Sequence, residues 1–478
     1  MIARSQNPAR EFSMGSADSS RFIKNYLYLV LSQALTYAIN FGIALIIARR
    51  IGVHFFGEFF LLATIQGFFL LLADSGINTI YLREASKNSA IIGKYLNNII
   101  PLKVLLFLCA YLLMQLFVLS FGYPGQIVRL SLVFGLSLLP FSINSLAAFT
   151  FRAIGRMDKE LLSNAFNAMV AGLLILWLCL GKVSTQGVVL AWVSVHALSM
   201  IFNFYMLKKT VYFRFRFETE LWGYLLSESK YFLLYTLTSW FYVQVDTVII
   251  SKYLPASEVG YYQAAVKILA ISAMLADVML NTSFPFIIRK YFTDPDQGKR
   301  LITRMSELTL MLVWPIILVV IFFSREVVFT LYGGQFERAA APLFVLGLGY
   351  LFYYGPPYGL TLAYLGHQKI NFLVSLFCAV ANMILNLYLI PRHGILGAAI
   401  ATAVTYAGLK IAYIVIFSRI RFPIFSFSMA KQAAVMLLPL VALKVLATPL
   451  LFCLPIYFLF IGSYMYKKFP MTEYLNLR

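Results

Sequence analysis

The chain has 478 residues, of which 61% are hydrophobic and only 12% are charged, whereas soluble domains are about half apolar and a quarter charged. This composition excludes a soluble globular protein, because so much apolar surface cannot be hidden in a core and must face lipid. The net charge of +20 would suggest nucleic acid as the partner of a soluble protein, but in a membrane protein basic residues collect in cytoplasmic loops. We therefore predict an integral membrane protein that binds no nucleic acid, with part of its positive charge available to an anionic substrate.

The apolar runs are continuous rather than alternating, which favours membrane helices over a β-barrel. Since some 20 apolar residues cross the bilayer as a helix, the runs predict an all-α fold of about fourteen transmembrane helices. In chain order the predicted spans are residues 25–48, 57–80, 98–120, 128–150, 161–180, 186–206, 230–251, 259–285, 306–323, 341–365, 370–390, 394–417, 432–446 and 449–466. Residues 1–22 are polar, and we predict a short disordered tail there.

Lys and Arg favour alternate loops by roughly three to one, which assigns the richer side to the cytoplasm and places both chain termini there. We call this side the inner side and the opposite one the outer side. Lys103 is counted with the inner loops, whereas Arg49 and Arg50 end helix 1 on the outer side, against the bias.

Residues 72–79 (Leu-Ala-Asp-Ser-Gly-Ile-Asn-Thr) and 275–282 (Leu-Ala-Asp-Val-Met-Leu-Asn-Thr) share five of eight positions at an offset of 203. The same offset pairs Gly57 with Gly260, and Arg49 with Lys252. Because six helices separate the copies, they predict a parallel repeat of two six-helix lobes plus an appended helix pair. The alternative is coincidence reinforced by shared helix-end chemistry.

The repeat divides the chain into five segments. They are a tail (1–22), an N-lobe (23–210), a cytoplasmic linker (211–229), a C-lobe (230–420), and helices 13 and 14 with a cytoplasmic tail (421–478).

The repeat also marks polar residues inside the membrane, where charges are costly and are candidates for function. Asp74 and Asn78 are four residues apart, which places them on one face of helix 2, and Asp277 and Asn281 repeat that spacing on helix 8. We predict that these pairs act in gating or coupling near the inner side. The alternative is that each aspartate caps or braces a neighbouring helix.

Five other charged residues within or at the ends of spans are candidates. Asp246 on helix 7 is predicted to act in gating or coupling, and Lys267 on helix 8 is predicted to bind substrate. The two lie at a similar depth, so the alternative is that they form an ion pair. Lys410 on helix 12 is predicted to meet an anionic substrate, the alternative being that it snorkels along its helix. Arg49 and Arg50 are predicted to bind a phosphate, the alternative being contact with lipid headgroups.

The sequence contains no GxxxxGK[ST], GxSxG or HExxH motif, so it predicts no nucleotide-driven step, no catalytic residues and no metal site. We expect a transporter that uses no cofactor, with an ion gradient as one candidate energy source.

Residues 47–52 (Ile-Ala-Arg-Arg-Ile-Gly), 73–76 (Ala-Asp-Ser-Gly) and 83–86 (Arg-Glu-Ala-Ser) follow one another in the first half. The second half contains residues 243–250 (Val-Gln-Val-Asp-Thr-Val-Ile-Ile) and 258–268 (Glu-Val-Gly-Tyr-Tyr-Gln-Ala-Ala-Val-Lys-Ile). In order and spacing these stretches resemble the O-antigen and polysaccharide repeat-unit flippases of the multidrug/oligosaccharidyl-lipid/polysaccharide exporter superfamily.

The resemblance implies alternating access and the flipping of an undecaprenyl-pyrophosphate-linked oligosaccharide across a bacterial inner membrane. It also implies membrane lipids, a polysaccharide polymerase and a chain-length regulator as partners. A multidrug or cation antiporter of the same fold is the alternative, and a membrane polysaccharide polymerase or ligase is a third hypothesis.

Overall fold

The computed structural model describes residues 16–181, 184–354, 357–365, 367–419, 427–445 and 450–468. All regular elements in these ranges are helical, which confirms the predicted all-α fold. The helices are α1 (Ser16–Ile51), α2 (Val53–Asp74), α3 (Ile77–Lys87), α4 (Ile92–Ser120), α5 (Gly125–Gly135), α6 (Leu138–Ala153), α7 (Met157–Leu180), α8 (Thr185–Thr210), α9 (Thr219–Tyr253), α10 (Ala256–Thr293), α11 (Pro295–Phe322), α12 (Ser324–Tyr332), α13 (Ala340–Tyr353), α14 (Tyr358–Tyr364), α15 (Gln368–Arg419), α16 (Phe427–Val445) and α17 (Leu450–Lys468).

Within the described ranges, 11 helical stretches are long and apolar enough to cross a membrane. The chain is therefore a multi-pass membrane protein, while the count of fourteen and the division into two lobes stay predictions. The helix α15 accounts for part of the difference, since its 52 residues would extend about 78 Å if they were straight. It contains a non-helical Gly394, and a Cβ added to Gly397 would lie 2.4 Å from the Leu389 carbonyl oxygen, so the chain reverses direction between these residues.

Two predicted boundaries differ from the structure. The helix α1 begins at Ser16, inside the predicted tail, and residues 1–15 lie outside the described ranges. The helix α9 begins at Thr219, so only residues 211–218 of the predicted linker are extended. In both places polar residues continue a membrane helix beyond the bilayer, because the backbone bonds of a helix are satisfied in water as well as in lipid.

The helix α2 lies at the centre of the bundle. In the most apolar stretch of α2, 67% of the residues are buried, whereas 17% are buried in that of α7, which faces outward. The helix α2 packs against α4, α9 and α10. Side chains on α2 therefore meet both predicted lobes, and most of the candidate residues lie along this helix or beside it.

Candidate functional site

The first candidate pair lies at a break in the chain rather than on one helix. The helix α2 ends at Asp74, and Ser75 and Gly76 both adopt left-handed backbone conformations, with φ of 47° and 71°, before α3 begins at Ile77. The prediction that Asp74 and Asn78 share one helical face is therefore wrong. The break brings them together nonetheless, since Asn78 Nδ2 donates to Asp74 Oδ1 at 2.9 Å.

Asp74 forms an ion pair with Lys103, a residue that sequence analysis placed in an inner loop. The Lys103 side chain is fully buried inside α4, and its Nζ donates to Asp74 Oδ1 and, at 2.9 Å, to Ser142 Oγ. Asn78 Nδ2 also donates to Ser145 Oγ at 2.9 Å. The loop assignment is wrong because α4 begins at Ile92, which places Lys103 about 16 Å along the helix. One network thus joins α2, α3, α4 and α6.

The second candidate pair is arranged differently, although its sequence is similar. Asp277 lies within the unbroken helix α10 and is exposed, and it makes no ion pair or hydrogen bond with a described residue. Its electrostatic neighbours include Tyr37 on α1 and Tyr354 at the end of α13. The Asn281 side chain lies outside the described part of the structure. The two aspartates therefore occupy equivalent sequence positions but different environments.

Asp246 does not form the predicted ion pair with Lys267. Its buried carboxylate accepts hydrogen bonds from the Tyr262 hydroxyl, from the Thr247 backbone N–H at 2.7 Å and from Thr402 Oγ1 at 3.4 Å. These donors come from α9, α10 and α15 and compensate the burial of a charged group. The ion pair fails because Tyr262 and Lys267 are five residues apart, or about 140° around α10.

The two lysines within the membrane both lie over aromatic rings. Lys267 Nζ is 4.5 Å from the ring centroid of Phe60, which belongs to α2 and the predicted N-lobe. Lys410 Nζ is 4.6 Å from the ring centroid of Tyr358 on α14. A ring face attracts a cation without neutralising it, so these two rings do not cancel either positive charge.

The two arginines at the end of α1 contact the carboxyl ends of other helices. Arg49 Nε donates to the Leu331 carbonyl at 2.7 Å on α12, across to the predicted C-lobe, whereas Arg50 Nη2 donates to the Cys179 carbonyl at 2.9 Å on α7. Both arginines are exposed and line a cavity of about 430 Å³. Guanidinium groups suit helix carboxyl ends as well as phosphates, so their predicted role in substrate binding stays a prediction.

Lys252, the repeat partner of Arg49, makes the reciprocal contact. It extends from α9 in the predicted C-lobe to the Phe121 carbonyl at the end of α4 in the predicted N-lobe. Its Nζ also lies 4.8 Å from the ring centroid of Tyr123, whose hydroxyl is hydrogen-bonded to Ser251 at 2.9 Å. Two repeat-related cations therefore tie the outer ends of the predicted lobes together.

Between these cations, α2 and α10 approach each other closely at two glycines. A Cβ added to Gly57 would lie 1.8 Å from the Ala256 carbonyl oxygen, and one added to Gly260 would lie 2.3 Å from the Val53 carbonyl oxygen. The two contacts are related by the offset of 203, as a two-fold relation between the helices requires. We call the Gly57–Gly260 contact with the Arg49 and Lys252 bonds the outer seam.

Farther from the outer surface, an apolar cavity of about 250 Å³ separates the two predicted lobes. It is lined by Phe68 on α2, Phe117 on α4, Trp240 on α9 and Met383 on α15, together with other apolar side chains, and no polar surface lines it. Such a cavity can accommodate a hydrocarbon chain but no hydrated group.

The sequence did not identify Lys103, which pairs with the half-buried Asp74, or Tyr262 and Thr402, which hold the buried Asp246. Lys103 carried a usable signal, since it lies within a long apolar run and opposite an aspartate in the preceding span. The two hydroxyl partners of Asp246 carried none, because isolated Tyr and Thr residues are common in membrane helices.

A sequence model of the family described as "Polysaccharide biosynthesis protein" matches residues 22–290, more than half of the chain. The chain belongs to this family. The family match covers α2, α3, α4 and α6, and therefore the Asp74–Lys103 network, as well as both glycines of the outer seam.

One curated relative of this family member is a probable low-salt glycan biosynthesis flippase, Agl15, from Haloferax volcanii. The two are 29% identical over 185 residues, which is 38% of this chain and 39% of the relative. The match thus spans about two fifths of the relative's length. It covers too little of either protein to transfer an activity.

Two solved structures share the fold over most of the chain. The lipid II flippase MurJ in an inward closed conformation has a TM-score of 0.72 at 17% identity, covering 93% of this chain and 99% of that one. An inward-facing multidrug resistance MATE transporter has a TM-score of 0.59 at 15% identity, covering 84% and 96%. At these identities the two matches show a shared fold, and a transporter rather than an enzyme stays the prediction.

Proposed function

We propose that the protein flips a polyprenyl-pyrophosphate-linked oligosaccharide, such as an undecaprenyl-linked O-antigen repeat unit, from the inner to the outer leaflet by alternating access. The membrane is the cytoplasmic membrane, with both chain termini on the cytoplasmic side. Membership of a polysaccharide biosynthesis family supports the substrate class. A polymerase and a chain-length regulator would act on the flipped product.

The observation that carries the proposal is the outer seam. Helices α2 and α10 touch backbone to backbone there, through Gly57 and Gly260, so the path between the predicted lobes is closed at the outer end. The glycine contacts that close it are reciprocal, since each glycine of one helix meets a backbone carbonyl of the other, which suits a joint that separates and re-forms. Parting them would open the interior to the outer side, as alternating access requires.

The interior suits a headgroup that lipid excludes. Each unpaired hydroxyl of a sugar costs roughly 4–8 kcal/mol in hydrocarbon, so the headgroup needs a polar path while its chain stays in lipid. Lys267 and Lys410 place positive charge within the membrane over aromatic rings, which would attract the pyrophosphate. The apolar cavity between α2, α4, α9 and α15 would receive part of the polyprenyl chain.

Removing either lysine tests this assignment. Lys267→Met and Lys410→Met should each slow transport of a pyrophosphate-linked substrate by on the order of tenfold, through loss of one charge-assisted contact of about 1.5 kcal/mol. Initial rates in proteoliposomes at equal protein content would measure this. Lys431→Met, at an exposed position on α16, is the matched control and should leave the rate unchanged. Full rates in both lysine variants would remove them from the substrate path.

The flipping assay itself tests the proposal. The purified protein is reconstituted into liposomes, and a fluorescent lipid-pyrophosphate-linked oligosaccharide is followed between leaflets without ATP, with an imposed ion gradient as the variable. We expect protein-dependent flipping, and its response to the gradient reports coupling. Asp246 is our candidate for the coupling residue, so Asp246→Asn should abolish any gradient response, whereas an unchanged response would exclude that role.

A second candidate function is the export of organic cations. The observation that favours it is the exposed carboxylate of Asp277 near Tyr37 and Tyr354, since an acidic group among aromatic rings suits such cations. Gradient-driven uptake of organic cations in the same proteoliposomes, abolished by Asp277→Asn, would favour this function over flipping.

A further inference from the structure

An extended segment joins α8 to α9 and consists almost entirely of aromatic and basic residues. Residues 211–218 read Val-Tyr-Phe-Arg-Phe-Arg-Phe-Glu, and they form neither helix nor strand. We call this segment the strap. It lies on the inner side assigned by the charge bias and connects the two predicted lobes.

The backbone of the strap is fixed to the beginning of α4. The Arg216 N–H donates to the Asn97 carbonyl at 3.0 Å, the Glu218 N–H donates to Asn98 Oδ1 at 2.8 Å, and the Arg214 N–H donates to the Asn97 side chain. These bonds involve every second residue, as in an edge strand, so successive side chains point to opposite sides. The backbone of the strap is therefore held in one conformation by hydrogen bonds to α4.

The side chains sort into two faces. Phe213 and Phe215 contact the Phe204 ring of α8, with centroid distances of 5.8 Å and 6.4 Å. On the other face, the Arg214 guanidinium lies 5.5 Å from the Tyr212 ring centroid. Tyr212 is 76% exposed on this arginine face, whereas Phe217 belongs by the same alternation to the phenylalanine face, where it is 72% exposed and lies 5.9 Å from the Trp222 ring centroid.

The charge around these exposed rings is strongly positive. Arg214 and Arg216 are exposed, and so are Lys208 and Lys209 at the end of α8. The acidic groups next to the strap in sequence are Glu220, which is exposed, and Glu218, which is bonded to Lys94 at 3.0 Å. The hydrogen bond from Lys94 is the main cause that lowers the pKa of the Glu218 carboxyl, and the charge of Arg216 lowers it further. Glu218 therefore offsets only part of the positive charge.

Exposed aromatic rings interleaved with cations fit the boundary between lipid headgroups and acyl chains, where rings insert and cations meet phosphates. We propose that the strap is a binding surface for the anionic phospholipid headgroups of the inner leaflet. Tyr212 inserts at the level of the glycerol backbone, and Arg214 and Arg216, which share its face, bind the lipid phosphates. The lipids thereby fix the segment that connects the two predicted lobes. This proposal does not depend on the transported substrate.

The test uses the full-length protein in nanodiscs of phosphatidylcholine, with and without phosphatidylglycerol, and measures the midpoint of thermal unfolding. Binding to the folded state raises that midpoint. We expect phosphatidylglycerol to raise it for the native protein, and to raise it less at high salt. In the Arg214→Gln/Arg216→Gln variant most of the rise should disappear, since each lost cation weakens binding about fivefold.

Two controls make the result specific. Arg129→Gln/Arg392→Gln removes two exposed arginines on the outer side and should keep the full rise. Arg214→Lys/Arg216→Lys keeps the charge and should also keep most of it. Because the strap bonds are made by backbone N–H groups, neither strap variant is expected to unfold the protein, and the salt dependence of the native protein gives an independent reading.

A rise of equal size in the native protein and in Arg214→Gln/Arg216→Gln would overturn the proposal. It would also be overturned if farnesyl pyrophosphate in pure phosphatidylcholine discs gave the arginine-dependent rise while phosphatidylglycerol gave none. In that case the surface would belong to a pyrophosphate substrate instead.

Discussion

Asp74→Ala should destabilise the folded protein by about 3 kcal/mol, since it leaves a buried lysine without its counter-charge. Lys103 has no exposed side-chain surface, and its other hydrogen-bond acceptor among the described residues is the Ser142 hydroxyl. The break at Ser75 and Gly76 would lose the bond that holds it to α4. Gly76 packs against Phe232 and Ser229 of α9, so the disturbance would extend to the opposite lobe and lower transport strongly while membrane insertion remains.

The partner substitution separates loss of charge balance from loss of a functional group. Asp74→Ala/Lys103→Met removes both charges and keeps the volume of the lysine stem, so it should recover most of the lost stability. The measurement is thermal or denaturant unfolding in detergent, alongside transport in liposomes. If the double variant is stable but inactive, Asp74 serves transport directly. If it is stable and active, the pair braces α2 and α4.

Asp277→Ala is the natural comparison, because Asp277 occupies the equivalent repeat position without a buried partner. It should impair transport with little loss of stability, since removing an exposed carboxylate leaves no buried charge without a partner. Equal destabilisation by the two alanine substitutions would contradict the asymmetry that the structure gives them. Full activity in both single variants and in the double variant would leave the gating or coupling role without support.

Gly57→Ala and Gly260→Ala should each prevent the outer seam from closing. The new methyl group would fall 1.8 Å or 2.3 Å from a carbonyl oxygen of the facing helix, and a backbone atom cannot move aside as a side chain can. Overpacking of this kind costs about 3 kcal/mol, which shifts the equilibrium between closed and open outer ends roughly a hundredfold. A protein held open on one side cannot complete a transport cycle.

Spin labels at Gln186 and His393, exposed positions at the outer ends of the predicted lobes, would report the opening as a longer distance. Gly172→Ala and Gly408→Ala are matched controls, since neither added Cβ meets any atom within 4 Å. These controls should be neutral or slightly stabilising, because alanine favours a helix over glycine. An unchanged label distance and full transport in Gly57→Ala would refute the seam as a moving joint.

Much of the fold follows from hydrophobicity and charge alone, and most predicted spans correspond to a described helix. The boundaries were less accessible, because polar residues extend α1 and α9 beyond the apolar runs that mark them. The hairpin within α15 follows from the length of the apolar stretch and a glycine at its middle. The break after Asp74 does not, since Ser75 and Gly76 lie in an otherwise ordinary apolar helix.

The sequence predicted several residues of the candidate site but not which residues contact one another. Asp74 and Asp246 were predicted as charges within the membrane, yet Asp74 was given no charged partner and Asp246 was paired with the wrong residue. The count of basic residues by loop placed Lys103 in a solvent-exposed inner loop, because such a count carries no information on burial. Matching Asp246 with Lys267 by depth ignored rotation about the helix axis. The offset of 203 related Gly57 to Gly260 and Arg49 to Lys252. It did not show that these residues lie together at the outer seam.

The most direct test of the central claim compares leaflet-to-leaflet movement of a fluorescent lipid-pyrophosphate-linked oligosaccharide in liposomes that contain the native protein or Gly260→Ala. We predict ATP-independent flipping by the native protein and none by the folded, inserted variant, since a protein whose outer end cannot close does not return to the state that takes substrate from the inner leaflet. Absence of flipping by demonstrably folded native protein, with several sugars tried, would contradict the account and direct the search to organic cations.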